Sequence, residues 1–337
     1  MRRFLITVLT LVLLALGGAL GWGVWWLDAP LTLREPVVDL SIEPGTAPRA
    51  VAQAAVQAGV QTAPELLFAW FRLSGQARQI KAGSYEFTAP LTPRKLLAAL
   101  VRGDEALRAW TLVEGWNFAQ LRASLQKAES LAQTLKGLDG EKIMEKLGRP
   151  GQAFEGAFYP DTYLYAKGST DLALLQRAAR AMDAHLAQAW AQRQPDTPLQ
   201  TPQQLLTLAS IIEKETGRAD ERPLIGAVFV NRLRLGMPLQ TDPTVIYGLG
   251  ERFDGNLRKR DLLADTPFNT YTRGGLPPTP IAMPGKAALM AAAQPARSSA
   301  LYFVARGDGS SVFSDTLQAH NAAVNRYQRR TAPSTTP

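Results

Sequence analysis

The groups in this sequence best suited to chemistry are carboxylates. Cysteine is absent and there are only two histidines, His185 and His320. No disulfide, thiolate nucleophile or cysteine-ligated metal is available, and two isolated histidines argue against a zinc site or a Ser-His-Asp triad. No metal and no cofactor is therefore expected. Among the carboxylates, Glu213 ends an apolar run, Leu208-Ala209-Ser210-Ile211-Ile212-Glu213-Lys214-Glu215-Thr216. On a helix it shares a face with Leu206 and Ala209, its i−7 and i−4 neighbours, while Lys214 lies about 100° round. Apolar surroundings and the negative end of a helix dipole both disfavour a bare carboxylate. A carboxylic acid so placed can give a proton to a leaving oxygen near neutral pH. The competing role is a structural ion pair with Arg218 or Arg222, and these residues alone do not choose between the two.

A second set of polar and aromatic side chains lies on loops. Residues 239–248 read as a turn opening a short helix and offer Gln240, Asp242 and Tyr247. Residues 268–281 form a long, proline-stiffened loop carrying Asn269 and Tyr271. Residues 155–163 pack acids, aromatics and turn formers together, among them Glu155 and Tyr163. Planar amide, phenol and carboxylate groups on loops held by a scaffold are what a sugar-binding surface needs. Each alone is more often a turn or core residue; their clustering carries the reading.

What must position Glu213 is its own helix. Thr201-Pro202-Gln203-Gln204 is a helix start, with Thr as N-cap, Pro in the first turn and Gln204 completing a capping box. The body that follows is apolar on nearly all faces, so the helix is expected to be buried. Upstream, strand 37–42, helices 50–59 and 64–74, strand 83–87 and helix 94–102 make a small α+β module. A strand at 109–113, a Glu-Gly turn and a helix at 118–128 partly echo it. Residues 131–150 read as a polar helical connector. Helices are further expected at 172–192 and 222–233, and a hairpin at 302–304 and 312–314. The Thr/Pro-rich tail, 329–337, reads as disordered.

Arg2 and Arg3 precede an uncharged apolar run over residues 4–27, and a membrane-spanning helix needs about 20 such residues. Trp22, Trp25 and Trp26 cluster near its far end, at head-group level. A cleavable signal peptide would have a shorter apolar region and a small-x-small site after it. The expectation is an uncleaved single-pass anchor with residues 1–3 in the cytoplasm, followed by a linker at 28–36. The net charge is +8, but the basic residues are scattered and no nucleic-acid module is recognisable. A lipid head-group or cell-wall polymer is the better partner, and no nucleic acid is expected.

Taken together, these segments resemble the MltG (YceG-like) family of endolytic murein transglycosylases. The likeness is carried by 208–216, by 239–248 and by Asn269-Thr270-Tyr271 through Gly275-Leu276-Pro277-Pro278, and 155–163 fits the family's acidic-aromatic segment. The chain departs from it at Thr279 and Met283, where family members often carry Gly and Asn. The resemblance implies an α+β fold class: an N-terminal transmembrane helix, a LysM-like α+β module at 37–105, a strand–helix extension and connector at 106–150, and a mixed α/β catalytic domain at 151–328. It implies Glu213 as catalytic acid/base, with Glu155, Tyr163, Gln240, Asp242, Tyr247, Asn269 and Tyr271 as candidate substrate contacts. The implied reaction is non-hydrolytic cleavage of the MurNAc–GlcNAc bond within nascent glycan strands, leaving 1,6-anhydroMurNAc ends and terminating elongation. The implied setting is the cell inner membrane, with the catalytic domain periplasmic and peptidoglycan strands, membrane and peptidoglycan synthases (penicillin-binding proteins) as partners. Two other readings fit the residues: a non-catalytic wall-binding scaffold, and a hydrolytic muramidase in which Glu155 or Asp242 activates water.

Overall fold

The computed structural model describes residues 2–328; the tail expected to be disordered lies outside them. Helix α1 (Arg2–Asp28) is continuous, and its Ile6–Asp28 segment is long and apolar enough to cross a membrane. The chain divides into two compact units, residues 1–108 with 164–168, and residues 109–163 with 169 onward.

The first unit continues with β1 (Thr32–Leu33), β2 (Val37–Ile42), α2 (Pro48–Ala58), β3 (Val60–Gln61), α3 (Pro64–Leu73), β4 (Gly83–Thr88) and α4 (Pro93–Arg102). β1 pairs with β3 and β2 with β4, both antiparallel. β2 buries Val38, Leu40 and Ile42 and exposes the residues between them, the period of two that a half-covered strand imposes. Leu40 stands opposite Tyr85 and Val38 opposite Phe87, and they share a core with Val51, Leu67, Phe71 and Leu96. The expected linker is woven into this unit: Leu31 N–H donates to Leu91 O at 2.7 Å and Arg34 N–H to Gly59 O at 2.9 Å. Two-residue strands such as β1 and β3 are too short to leave a periodic signal. The end of α1 is tied here too. Asp28 accepts from Arg94 Nε and Nη2 at 2.8 and 3.1 Å, and Trp26 packs against the core.

β5 (Leu107–Thr111) leads towards α5 (Phe118–Gln126), α6 (Gly140–Lys146) and β6 (Thr162–Ala166), and β5 pairs with β6. The helical connector expected at 131–150 contains only α6, because glycines at positive φ, Gly137 and Gly148, flank it. Then follow α7 (Asp171–Ala191), α8 (Pro202–Glu215), α9 (Arg222–Arg234), α10 (Asp242–Leu249), α11 (Lys259–Leu263), α12 (Lys286–Ala293), the antiparallel hairpin β7 (Tyr302–Ala305) and β8 (Ser311–Ser314), and α13 (Leu317–Tyr327). Helices dominate this second unit and its strands form only short pairs. Its class is thus α+β, without the β–α alternation that a mixed α/β domain implied. At its centre α8 packs against α7, α9, α10 and α12. A Cβ on Gly226 would stand 2.5 Å from Ala291 O, so glycine lets α9 and α12 close on each other.

Candidate active site

Helix α8 begins as its sequence requires. Thr201 Oγ1 accepts from Gln204 N–H at 3.2 Å. Gln204 Oε1, however, accepts from Gln200 N–H at 2.6 Å, so the capping box is only half formed. Every residue from 205 to 212 is buried, which is why the helix reads as apolar all round. Glu213 comes at the end of this buried stretch with its side chain 5% exposed. Its Oε1 accepts from Arg222 Nη2 at 3.4 Å and its Oε2 from Gly285 N–H at 3.0 Å. Of the two arginines considered from sequence, Arg222 is the neighbour; Arg218 pairs with Asp220 and Glu221. Arg222 and the Gly285 N–H thus hold the Glu213 carboxyl in place.

The proline-rich loop before α12 is fixed at every second residue. Ile281 N–H donates to Ser210 Oγ at 3.0 Å, Met283 N–H to Trp116 O at 2.8 Å, and Gly285 N–H to Glu213. In return Gly115 N–H donates to Met283 O at 2.9 Å. Extended backbone presents alternate residues to one side, so this loop runs along α8 and grips the Glu114–Asn117 turn on the way. Lys214 Nζ reaches the same turn, donating to Gly115 O at 3.2 Å. Met283 is fully buried and holds the turn through its backbone, so the departure from the family's usual residue leaves the pairing intact.

A cavity of about 770 Å³ opens beside this turn, with Gly115, Phe118, Phe154, Lys214, Tyr247 and Phe253 among its walls. Glu155 lines it too; the Glu213 carboxyl does not. Glu155 is 3% exposed. Both its oxygens accept from Phe118 N–H, at 3.0 and 3.2 Å, and Oε2 also accepts from Tyr247 Oη at 3.0 Å. Burial pushes its carboxyl up to about 7 against the pull of these hydrogen bonds. Burial likewise raises the Tyr247 phenol, helped by the charge of Glu155.

Three other expected contacts gather at the start of α10. Tyr271 Oη donates to Asp242 Oδ1 at 2.6 Å. Gln240, at φ 51, accepts from Arg232 Nη1 at 3.3 Å. Between them Thr241 Oγ1 donates to Glu215 Oε2 at 2.6 Å, and burial holds Glu215 above the usual carboxylate range.

Two expected contacts sit elsewhere. Tyr163 lies buried in β6 and donates to Tyr159 O at 2.7 Å. Asn269 is wholly buried; its Nδ2 donates to the carbonyls of Leu262 and Ala264, and its Oδ1 accepts from Tyr271 N–H. Its amide shapes the loop.

Sequence reasoning missed Glu114 and Gly285 as neighbours of Glu213. The only local signal was the Glu114-Gly115 turn. Burial first, and then the charge of Glu213, hold the Glu114 carboxyl above its ordinary range, with Arg222 opposing.

Proton transfer is the chemistry that carboxyl groups held in this way can offer. Residues 40–326 match the YceG-like family, and the chain belongs to it. It is similar to the endolytic murein transglycosylase of Bacillus subtilis (strain 168), with 29% identity over 93% of this chain and 91% of that protein. A protein of the same description from Streptococcus pneumoniae serotype 2 (strain D39) is 26% identical over 97% of this chain, which spans 65% of that relative. Among solved structures, a YceG-like protein of Listeria monocytogenes aligns with a TM-score of 0.54 and 26% identity, over 85% of this chain and 98% of that one.

Proposed function

We propose that the protein is an endolytic peptidoglycan lytic transglycosylase in which Glu213 is the acid/base. The observation that carries this is the fixed Glu213 carboxyl, held between Arg222 and the Gly285 N–H at the end of a buried helix. Membership of the family supports it, since the relatives above are described as endolytic murein transglycosylases. Protonated Glu213 gives its proton to the oxygen joining MurNAc C1 to GlcNAc as the C1–O bond breaks. The resulting carboxylate takes the proton of the muramyl 6-hydroxyl while O6 bonds to C1. The product has a 1,6-anhydro end, and the acid is restored. Water does not enter, so no second carboxylate is needed to activate it, unlike the paired-carboxylate glycosidases. Phe118, Phe154, Tyr247 and Phe253 give the neighbouring cavity aromatic surfaces suited to pyranose rings. Digesting purified glycan strands and weighing the products tests the reading. Internal cleavage with 1,6-anhydro ends is expected; new reducing ends would make the protein a hydrolase, and intact strands a scaffold.

The setting follows from the N-terminal helix. In this reading α1 is an uncleaved single-pass anchor in the cytoplasmic membrane, with its N-terminus inside and the catalytic unit in the periplasm. A reporter fused after Pro337 should then be active only beyond the cytoplasm, and cytoplasmic activity would overturn the assignment. Residues 37–105 are taken as LysM-like, an assignment supported by two helices inserted between the paired strands β2 and β4. Cutting nascent strands would terminate their elongation, which makes peptidoglycan synthases the natural partners.

A further inference from the structure

We infer that Glu155 is a positioning residue for this reaction: its carboxyl latches Tyr247 of α10 to the first turn of α5 and so fixes the width of the cavity between them. The inference rests on that cavity holding the glycan, as proposed above.

The cavity has walls from different parts of the chain. One is the start of α5, with Asn117, Phe118 and Gln120; another is α10 and the turn after it, with Ile246, Tyr247 and Phe253. Among the described residues no hydrogen bond runs straight from α5 to α10. Both are bonded to Glu155 instead. Its two oxygens accept from Phe118 N–H, the first amide of α5, at 3.0 and 3.2 Å, and Oε2 also accepts from Tyr247 Oη at 3.0 Å. The mount of this bridge is firm. Gly156, next in the chain, has φ 77, and a Cβ on it would stand 2.7 Å from the Pro280 ring. The backbone that carries Glu155 is therefore pressed against the proline-rich loop. The Tyr247 ring in turn packs edge-on against Phe268, with centroids 4.8 Å apart.

A carboxyl so placed has little left for a sugar. It is 3% exposed, its oxygens are taken by protein donors, and the single O–H of Tyr247 is given to it. Burying a carboxyl is costly unless its hydrogen bonds are made, and here they are made to both walls. What the pair supplies is spacing. Phe118, 4.7 Å from the Phe154 ring, belongs to one wall, and Tyr247 and Phe253 to the other. Flat apolar surfaces grip a pyranose ring only at contact distance, since dispersion fades within an ångström of a gap. Without the latch the α10 wall loses its tie to α5. A strand is then held less tightly before and during the reaction alike, which raises KM and spares kcat.

The test uses the full chain in detergent and glycan strands freed of their stem peptides. Tyr247→Phe keeps the ring and removes only the donor; it should raise KM about tenfold and leave kcat within about twofold of wild type. Glu155→Leu should do the same. The double variant should be no worse than either alone, because both changes open one latch. Glu155→Gln, whose amide can accept from Phe118 N–H and donate to Tyr247, should return KM most of the way to the wild-type value. Hydrogen exchange along α10 should quicken in Tyr247→Phe and not in Glu155→Gln. Additive effects of the two changes would make Tyr247 a sugar contact in its own right, and quicker exchange with KM unmoved would make the bond a matter of folding; either overturns the inference. So does a loss confined to kcat. If Glu155→Leu misfolds, Tyr247→Phe against Glu155→Gln still decides. If the wild type makes no anhydro product, the proposed reaction falls, and Kd values for the same strands, with the exchange rates, decide the latch.

Discussion

Glu213→Gln should lower the rate of 1,6-anhydro end formation by about 10²–10⁴-fold. The amide keeps the side chain's shape and an oxygen to accept from Gly285 N–H, but it has no proton to give. The folding cost is expected at about 1–2 kcal/mol. The change leaves Arg222, whose Nε is buried without a partner, short of a counter-charge. Urea unfolding measures that cost, and circular dichroism shows whether the variant is folded. Glu215→Gln is the comparison. Glu215 accepts from Thr241 at the start of α10, and an amide oxygen can do the same, so its effect on rate should be far milder. A folded Glu213→Gln protein that still releases anhydro products at near wild-type rate would make Glu213 structural.

Stability should fall as pH rises, and Glu155 should account for much of the fall. Its folded value, about 7, lies above the ordinary 4.5. The folded state therefore binds its proton more tightly than the unfolded chain does. The stabilisation is complete below about 4.5 and is lost as pH rises through about 7. The protein should be less stable at pH 8 than at pH 5 by about 2–3 kcal/mol from this group. Glu155→Gln should flatten the difference, since its amide can accept from Phe118 N–H and donate to Tyr247 without a charge to bury. Urea midpoints at the two pH values decide the matter. Parallel losses in wild type and variant would assign the pH dependence to other groups.

What could be read in advance was whatever has a local cause. Thr201 and Pro202 announce α8, its unbroken apolar body announces burial, and the alternation at 37–42 announces β2. The surroundings of Glu213 have no such cause. Gly285 lies 72 residues away in sequence, and Lys214 and Gly115 are separated by 99. Helix α12, Lys-Ala-Ala-Leu-Met-Ala-Ala-Ala, lacks the polar face that marks a surface helix, because its other side is buried as well. Asn269 and Tyr163 show a different blindness. A side chain whose hydrogen bonds all go to its own backbone neighbours has the same letter in the sequence as one that faces a sugar.

The way α1 joins the first unit sets how far that unit can search. Had residues 30–36 been free coil, they would have let the unit wander by about 15 Å. Instead Asp28 grips Arg94, Trp26 is seated in the core, and Leu31 and Arg34 are bonded to Leu91 and Gly59. There is no slack. With α1 in the bilayer as proposed, the first unit is a post rather than a leash: it travels sideways with the lipid but cannot climb into the wall. That unit would meet polymer only at the height of the membrane surface, where strands are newest. Which strands the first unit meets would then depend on where they lie above the lipid as much as on how tightly they are held.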